Sequence, residues 1–275
     1  GHNKGIEQPT IIVMSGSFHG RTLATLSATG NRKIQAGFEP LVQGFARAPF
    51  NDIGAVQQII ENNANVVAVL VEPVQGEGGI NVPDAEYLPA LRALCDQHEL
   101  LFMLDEIQTG NARAGHYFAY QQHVGLLPDV VTTAKGLGNG VPIGACLAKG
   151  IAANTLKPGN HGSTFGGNPL ACAVGLAVMK TIADDHLAER AVVLGERLVA
   201  GFTAALKDSG YLNKYEPKDI PKNSSKSTGT KVVFSHIKDI DFNHFNDFIV
   251  PFLINEFTWL LVSNPKLQLI INGIH

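Results

Sequence analysis

Charge is scarce in this chain, and no long apolar run occurs in it. Asp, Glu, Lys and Arg make up 16% of the 275 residues, and the formal net charge is −3. That balance gives no reason to expect nucleic acid or a membrane surface as a partner. No apolar run approaches the ~18–20 residues that a membrane-crossing helix needs. Cysteine is sparse too: Cys95, Cys146 and Cys172 make no paired spacing and no CxxC. Buried free thiols in a reducing, cytoplasmic compartment are the expectation. The ten histidines show no HExxH or other ligand spacing, so no metal site is expected. No GxGxxG follows a strand and no GxSxG elbow appears. In Ala134-Lys-Gly-Leu-Gly-Asn-Gly140 the lysine precedes the glycines, which is not a P-loop. The opening residues, Gly-His-Asn-Lys, hold no methionine and no charged-then-apolar leader. They point to a piece cut from a longer protein.

What is present is a globular composition. Apolar residues are 45%, enough for a full core in one or two domains. Short apolar runs at 11–14, 66–71, 100–104, 130–134 and 143–148 read as strands. The run 66–71 is continuous and β-branched, the pattern of a strand covered on both faces. Helices are expected at about 21–28, 53–61 behind an Asp52 cap, 84–98 and around 116–123. A long helix is expected from Pro169 to about 206, with a break near Asp184-Asp185. Residues 31–50 read as loop. Strand, helix and strand across 66–104 make one right-handed βαβ unit. The fold class is therefore α/β with a mostly parallel sheet flanked by helices.

The composition changes near residue 206. Alanine is frequent up to Ala205 and absent beyond it. Residues 218–231 read as a linker. Strands at 231–234, 257–262 and 267–271 and a helix at 242–253 would make a small α+β appendage. The expected division is 1–206 and 207–275.

Chargeable groups just after buried strands sit where open α/β sheets place ligands. Asp105 closes one apolar run and Lys135 another. A lysine amine can form a Schiff base with pyridoxal phosphate (PLP), and a buried aspartate can hold the ring nitrogen protonated. Thr132, Thr133, Ala134, Gly136, Gly138 and Gly140 leave room for a planar cofactor near Lys135. The competing reading is a surface lysine at a strand end. Asp105 serves equally as a helix cap. Glu106 reads as a structural partner. Gln108 is placed to reach a cofactor's phenolic oxygen, or is an ordinary loop glutamine. Ser163 and Thr164, ahead of a helix, suit a phosphate or a capping role. Phe18 stacks on a flat ring or fills the core. Arg21 clamps a carboxylate or is solvated. Glu77 meets a cationic substrate end or an arginine, or is solvated.

Several motifs in order carry a resemblance. They are Ser17-Phe-His-Gly-Arg-Thr22 with Ala24-Thr-Leu-Ser-Ala-Thr-Gly30, Val71-Glu-Pro-Val-Gln-Gly-Glu-Gly-Gly79 and Leu94-Cys-Asp-Gln-His98. Leu104-Asp-Glu-Ile-Gln-Thr-Gly110, Thr133-Ala-Lys-Gly-Leu-Gly-Asn-Gly-Val-Pro-Ile-Gly144 and residues 161–174 follow. Together they resemble the class III PLP-dependent aminotransferases, nearest the branch acting on acetylornithine, succinylornithine and succinyldiaminopimelate. The likeness covers about residues 1–206. It implies the large domain of a fold type I PLP enzyme, with a seven-stranded type of sheet, and a cytoplasmic homodimer with shared active sites.

The resemblance makes Lys135 the Schiff-base lysine and Asp105 the partner of the pyridine nitrogen. Gln108 would lie near the phenolic oxygen and Phe18 would stack on the ring. Thr164, with Ser163, would bind the phosphate from the other subunit. Arg21 would take the α-carboxylate, and Glu77 would be the gate between an ω-amino donor and 2-oxoglutarate. The implied reaction yields a semialdehyde and glutamate, in arginine or lysine metabolism. The family's chain upstream of Gly1 and its C-terminal domain after residue 206 have no match here. The competing expectations are an inactive truncated fragment, or an ornithine or 4-aminobutyrate aminotransferase.

Overall fold

A computed structural model describes residues 1–208. The strands, helices and linker expected at 218–271 lie outside them. The chain divides into two compact units, Gly1–Val192 and Val193–His275. Of the second, residues 193–208 are described, all of them helical.

The first unit is built on a six-stranded sheet among the described residues. Its strands are β1 (Thr10–Met14), β2 (Phe45–Ala48), β3 (Val66–Val71), β4 (Leu101–Asp105), β5 (Val130–Thr133) and β6 (Ala145–Ala148). The helices are α1 (Leu23–Ala28), α2 (Arg32–Gln35), α3 (Ile53–Asn62), α4 (Tyr87–Gln97), α5 (Gly150–Ala153), α6 (Pro169–Asp184) and α7 (Leu187–Asp208). The sheet order is β2-β1-β3-β4-β5-β6. Neighbours from β2 to β5 pair in parallel, and β6 runs antiparallel to β5.

The five strands expected between residues 11 and 148 are present, within two residues at each end. The reading of 31–50 as loop is corrected: it contains α2 and the edge strand β2. β2 is short, alternates alanine with bulkier residues and pairs only with β1. Its apolar signal was therefore too weak to read. The segment around 116–123 forms only one 3-10 turn, Ala119–Gln122.

The strands form where β-branched runs can be covered. Ile12, Met14, Val69, Val71, Phe102 and Leu104 join Val56, Leu88 and Leu91 in one buried cluster. α3 and α4 supply the helical side of that cluster. Complete burial of such a side chain contributes roughly 1.5–3 kcal/mol. α3 starts at Asp52, whose Oδ1 accepts from Ala55 N at 2.9 Å, as expected of a cap. α6 starts the same way, with Asn168 Oδ1 accepting from Ala171 N and Pro169 in the first turn. The expected break falls between α6 and α7, where His186 is left-handed at φ 50°.

Because β1 to β5 are parallel, their carboxyl ends share one edge. The strand order reverses direction between β1 and β3. In open α/β sheets that reversal opens a crevice at the carboxyl edge, where ligands bind.

Candidate active site

Four segments leave the sheet at that edge. The turn after β1 carries Ser17, Phe18 and His19. The loop after β3 carries Glu72 to Glu77. Asp105 ends β4, and Lys135 follows β5 after Ala134.

Asp105 is the best-held group. It is 6% exposed. Its Oδ1 accepts from Ile107 N at 3.1 Å, and its Oδ2 meets His19 Nδ1 at 2.8 Å. The first bond closes a local turn, since no helix starts after β4 ahead of the 3-10 turn at Ala119–Gln122, and the second is new. The helix-cap reading is therefore corrected to a turn bond, and the carboxylate, with about four lone-pair sites, keeps acceptor capacity beyond these two bonds. His19 is almost fully buried, and its Nε2 has no hydrogen-bond partner among the described residues. The sequence reading passed over His19 as a site residue.

Glu72 was also missed. It follows β3 directly, as Asp105 closes β4, so the same rule would have found it. It is 5% exposed, and its Oε2 accepts from Phe18 N at 3.2 Å. Burial pushes its carboxyl up to about 7, while the His19 ring counters the rise and Asp105 adds to it. Glu106 fills the structural role expected of it. It accepts from Thr109 Oγ1, Ala119 N and Tyr120 N. Burial raises its pKa against those bonds.

Lys135 sits one strand over from Asp105. In the β4–β5 pairing Asp105 faces Thr132, and Glu106 N donates to Thr132 O at 2.9 Å. Lys135 opens a 3-10 turn, Lys135–Leu137, with a left-handed φ of 42°. For a residue with a side chain that conformation costs roughly 1–3 kcal/mol. Lys135 is exposed, so the described residues do not supply the desolvation expected of it.

The remaining candidates fall into two groups. The first comprises two contacts: Phe18 with Arg21 after β1, and Gln108, after β4, with Glu77, after β3. The Arg21 guanidinium lies 5.7 Å from the centroid of the Phe18 ring. Gln108 Nε2 donates to Glu77 Oε1 at 3.2 Å. Gly76 leaves the space Gln108 occupies, since a Cβ there would lie 2.4 Å from Gln108 Oε1. Ser163 and Thr164 stand apart in an exposed loop. Ser163 Oγ accepts from Gly166 N at 3.0 Å within the loop, while Asn168 caps α6, so the capping role weighed for Ser163 falls to Asn168.

The edge thus carries a buried carboxylate on β4 and a lysine just after the adjacent strand β5. Among the described residues no group of His, Cys, Asp and Glu could hold a metal ion.

The chain matches the family described as Aminotransferase class-III over residues 2–215. It is 59% identical over 195 residues to an acetylornithine aminotransferase of Nitrosomonas europaea, covering 71% of this chain and 49% of that one. It is 50% identical over 191 residues to an acetylornithine aminotransferase of Mycolicibacterium smegmatis, covering 70% and 48%. Among solved structures it is similar to the ornithine aminotransferase of Toxoplasma gondii, with TM-score 0.67 and 38% identity. That alignment covers 74% of this chain and 47% of that one. The acetylornithine aminotransferase of Elizabethkingia anophelis aligns with TM-score 0.63 and 36% identity, covering 76% and 49%. The chain spans about half the length of the curated relatives it matches.

Proposed function

The chain belongs to the class III aminotransferases, and from that premise we propose that it moves an amino group from an N-acylated ornithine, or a similar ω-amino donor, to 2-oxoglutarate. The products are a semialdehyde and glutamate. The names of the relatives support the acyl-ornithine donor. The likeness to a solved ornithine aminotransferase keeps free ornithine as the second donor to assay. Within the described residues no helix is long and apolar enough to cross a membrane. A cytoplasmic homodimer that completes its active sites across the interface is part of the proposal.

Class III aminotransferases depend on PLP, and the donor set here fits it. Asp105 offers a buried carboxylate with unused lone pairs, the partner a protonated ring nitrogen needs. His19 beside it leaves Nε2, a buried polar atom, without a hydrogen-bond partner among the described residues. When bound, the cofactor supplies an electron sink next to the carbon that loses its proton.

This chain's residues do the rest. Asp105 holds the proton on the ring nitrogen, and His19 holds Asp105. Lys135 Nζ would hold the cofactor and, when free, would take and return the proton at the substrate carbon as base and acid. Phe18 would stack on the ring, and Gln108 would lie near its phenolic oxygen. Arg21 binds the substrate α-carboxylate through paired hydrogen bonds. Glu77 switches between the ω-amino donor and 2-oxoglutarate. Thr164 and Ser163, exposed on this chain, are proposed to bind phosphate across the dimer.

One observation carries the proposal: Asp105 and Lys135 lie at the carboxyl ends of adjacent parallel strands, beside the crevice the strand order opens. The test is to incubate the purified chain with PLP, reduce with borohydride and map the labelled peptide. N-acetylornithine with 2-oxoglutarate is then assayed for glutamate. Label at Lys135, lost in Lys135→Ala, is the expected result. Equal cofactor retention by Lys135→Ala would overturn it.

A further inference from the structure

Lys135 holds a left-handed backbone, and nothing in its own side chain favours that. Lysine lacks the short polar group that lets Asn or Asp stabilise φ above zero locally. A neighbour must therefore hold the turn, and the structure shows one. Asn111 Nδ2 donates to Thr133 Oγ1 at 2.9 Å and to the Ala134 carbonyl at 3.2 Å. Both hydrogens of the carboxamide are thereby used. The Ala134 carbonyl belongs to the peptide that joins Ala134 to Lys135. Fixing its direction fixes the peptide plane about which φ of Lys135 turns.

Asn111 is itself held. Its Oδ1 accepts from Tyr117 OH at 3.3 Å. Its φ is 56°, and that of Ala112 is 66°. Ala112 N donates to Tyr117 O at 3.2 Å, which ties this left-handed pair to the same tyrosine. On the far side, a Cβ at Gly136 would come 3.2 Å from Asn111 Cβ, so the amide lies close against the Lys135 turn.

We propose that Asn111 is the positioning residue of Lys135: its carboxamide clamps the backbone on which the reactive amine is carried. The proposal rests on the role given to Lys135 above. The contacts of Asn111 run to Thr133, to the Ala134 carbonyl and to Tyr117. It acts through the direction in which Lys135 leaves the sheet edge, and the cost of losing it falls on the lysine's reach.

The test uses the full chain with PLP as probe. Wild type, Asn111→Asp and Asn111→Gly are incubated with PLP, reduced with borohydride and mapped by peptide mass. Asp keeps the size and the left-handed tolerance but turns an acceptor toward the Ala134 carbonyl. Gly accepts the same φ freely and removes the clamp. The readout is the ratio of label at Lys135 to label at the exposed Lys33 and Lys149, within the same folded molecules. Far-UV circular dichroism reads loss of fold separately, and in variants that keep the wild-type spectrum a loss of positioning lowers the ratio while Lys33 and Lys149 label as before. The expected result is a ratio reduced at least about tenfold in both variants, the scale set by a misplaced reactive group. A ratio within about twofold of wild type in either folded variant overturns the proposal while leaving Lys135 in its role. A wild-type chain that labels Lys135 no more than Lys33 overturns both.

Discussion

His19 Nδ1 lies 2.8 Å from Asp105 Oδ2, with the two side chains 3% and 7% exposed. The pair joins the turn after β1 to the end of β4, across the whole width of β3. A proton on Nδ1 makes the ring a donor to the carboxylate and leaves Nε2 as an acceptor. His19→Phe keeps a ring of similar bulk and removes that donor. Asp105 then keeps one backbone amide in a buried place. The expected loss is roughly 1–3 kcal/mol of unfolding free energy, read by urea titration. Weaker retention of PLP at a lysine left untouched should accompany it. Unchanged stability and unchanged retention together would show that the pair is incidental.

Glu72 gives the fold a pH dependence of known sign. Its carboxyl titrates at 4.5 by reference and at about 7 in the folded chain, chiefly through burial. Between those values the folded state keeps a proton that the unfolded state has released. Stability from this group is therefore full below the reference value and is lost as pH rises through about 7. A shift of that size corresponds to about 3 kcal/mol. Urea unfolding between about pH 5 and about pH 8 should show wild type weakening by up to that amount. Glu72→Gln removes this carboxyl and keeps every other titratable group, so the difference between the two profiles isolates the Glu72 share. The variant should give a flatter profile. An identical slope in both would place the dependence elsewhere.

Much of this was readable beforehand, for one physical reason. Strands covered on both faces must be apolar throughout, so residues 66–71 and 100–104 announced themselves. The residues that close such runs fall at the ligand-binding edge, which is how Asp105 and Lys135 were found. The same logic stopped short at Glu72 and His19, because their importance comes from three strands being neighbours out of chain order. Sequence spacing does not show that β1 lies between β2 and β3, or that its turn reaches Asp105. β2 failed for the opposite reason: with Arg47 at its centre and one partner strand, it never needed to be apolar. The left-handed φ of Lys135 had no local signature, since its support comes from Asn111 in another loop.

Gly30 should tolerate no side chain. A Cβ there would lie 2.2 Å from Met14 O, 2.7 Å from Gly16 N and 2.9 Å from Ser17 N. All three are backbone atoms of the turn that presents Phe18 and His19, and they cannot swing aside. Gly30 also receives that turn through hydrogen bonds with Gly16 and Ser17. Gly30→Ala is expected to lower stability by roughly 1–3 kcal/mol, the range for overpacking, and to lower the thermal midpoint. Because the turn moves, His19 should release Asp105, and PLP retention should fall further than stability alone predicts. A variant as stable as wild type would show that the turn is more compliant than its hydrogen bonds imply.

Gly76 poses the contrasting case, because there the obstacle is the end of a flexible side chain. An added Cβ would meet Gln108 at its Oε1, Cδ and Nε2, all within 2.9 Å. Gln108 is half-buried and can rotate away, at the expense of its bond to Glu77 Oε1. Gly76→Ala should therefore leave the fold nearly as stable as wild type while parting Gln108 from Glu77. If Glu77 serves as the gate for the second substrate, freeing it should alter KM for 2-oxoglutarate more than KM for the amino donor. Gln108→Ala, which removes the same bond from the other side, should shift the two constants in the same direction. Steady-state kinetics on both variants, run beside a thermal melt, measure this directly. A Gly76→Ala variant that unfolds easily would mean the loop after β3 is rigid where it was taken to yield. One that is stable, with both KM values unmoved, would detach Gln108 from any control over Glu77.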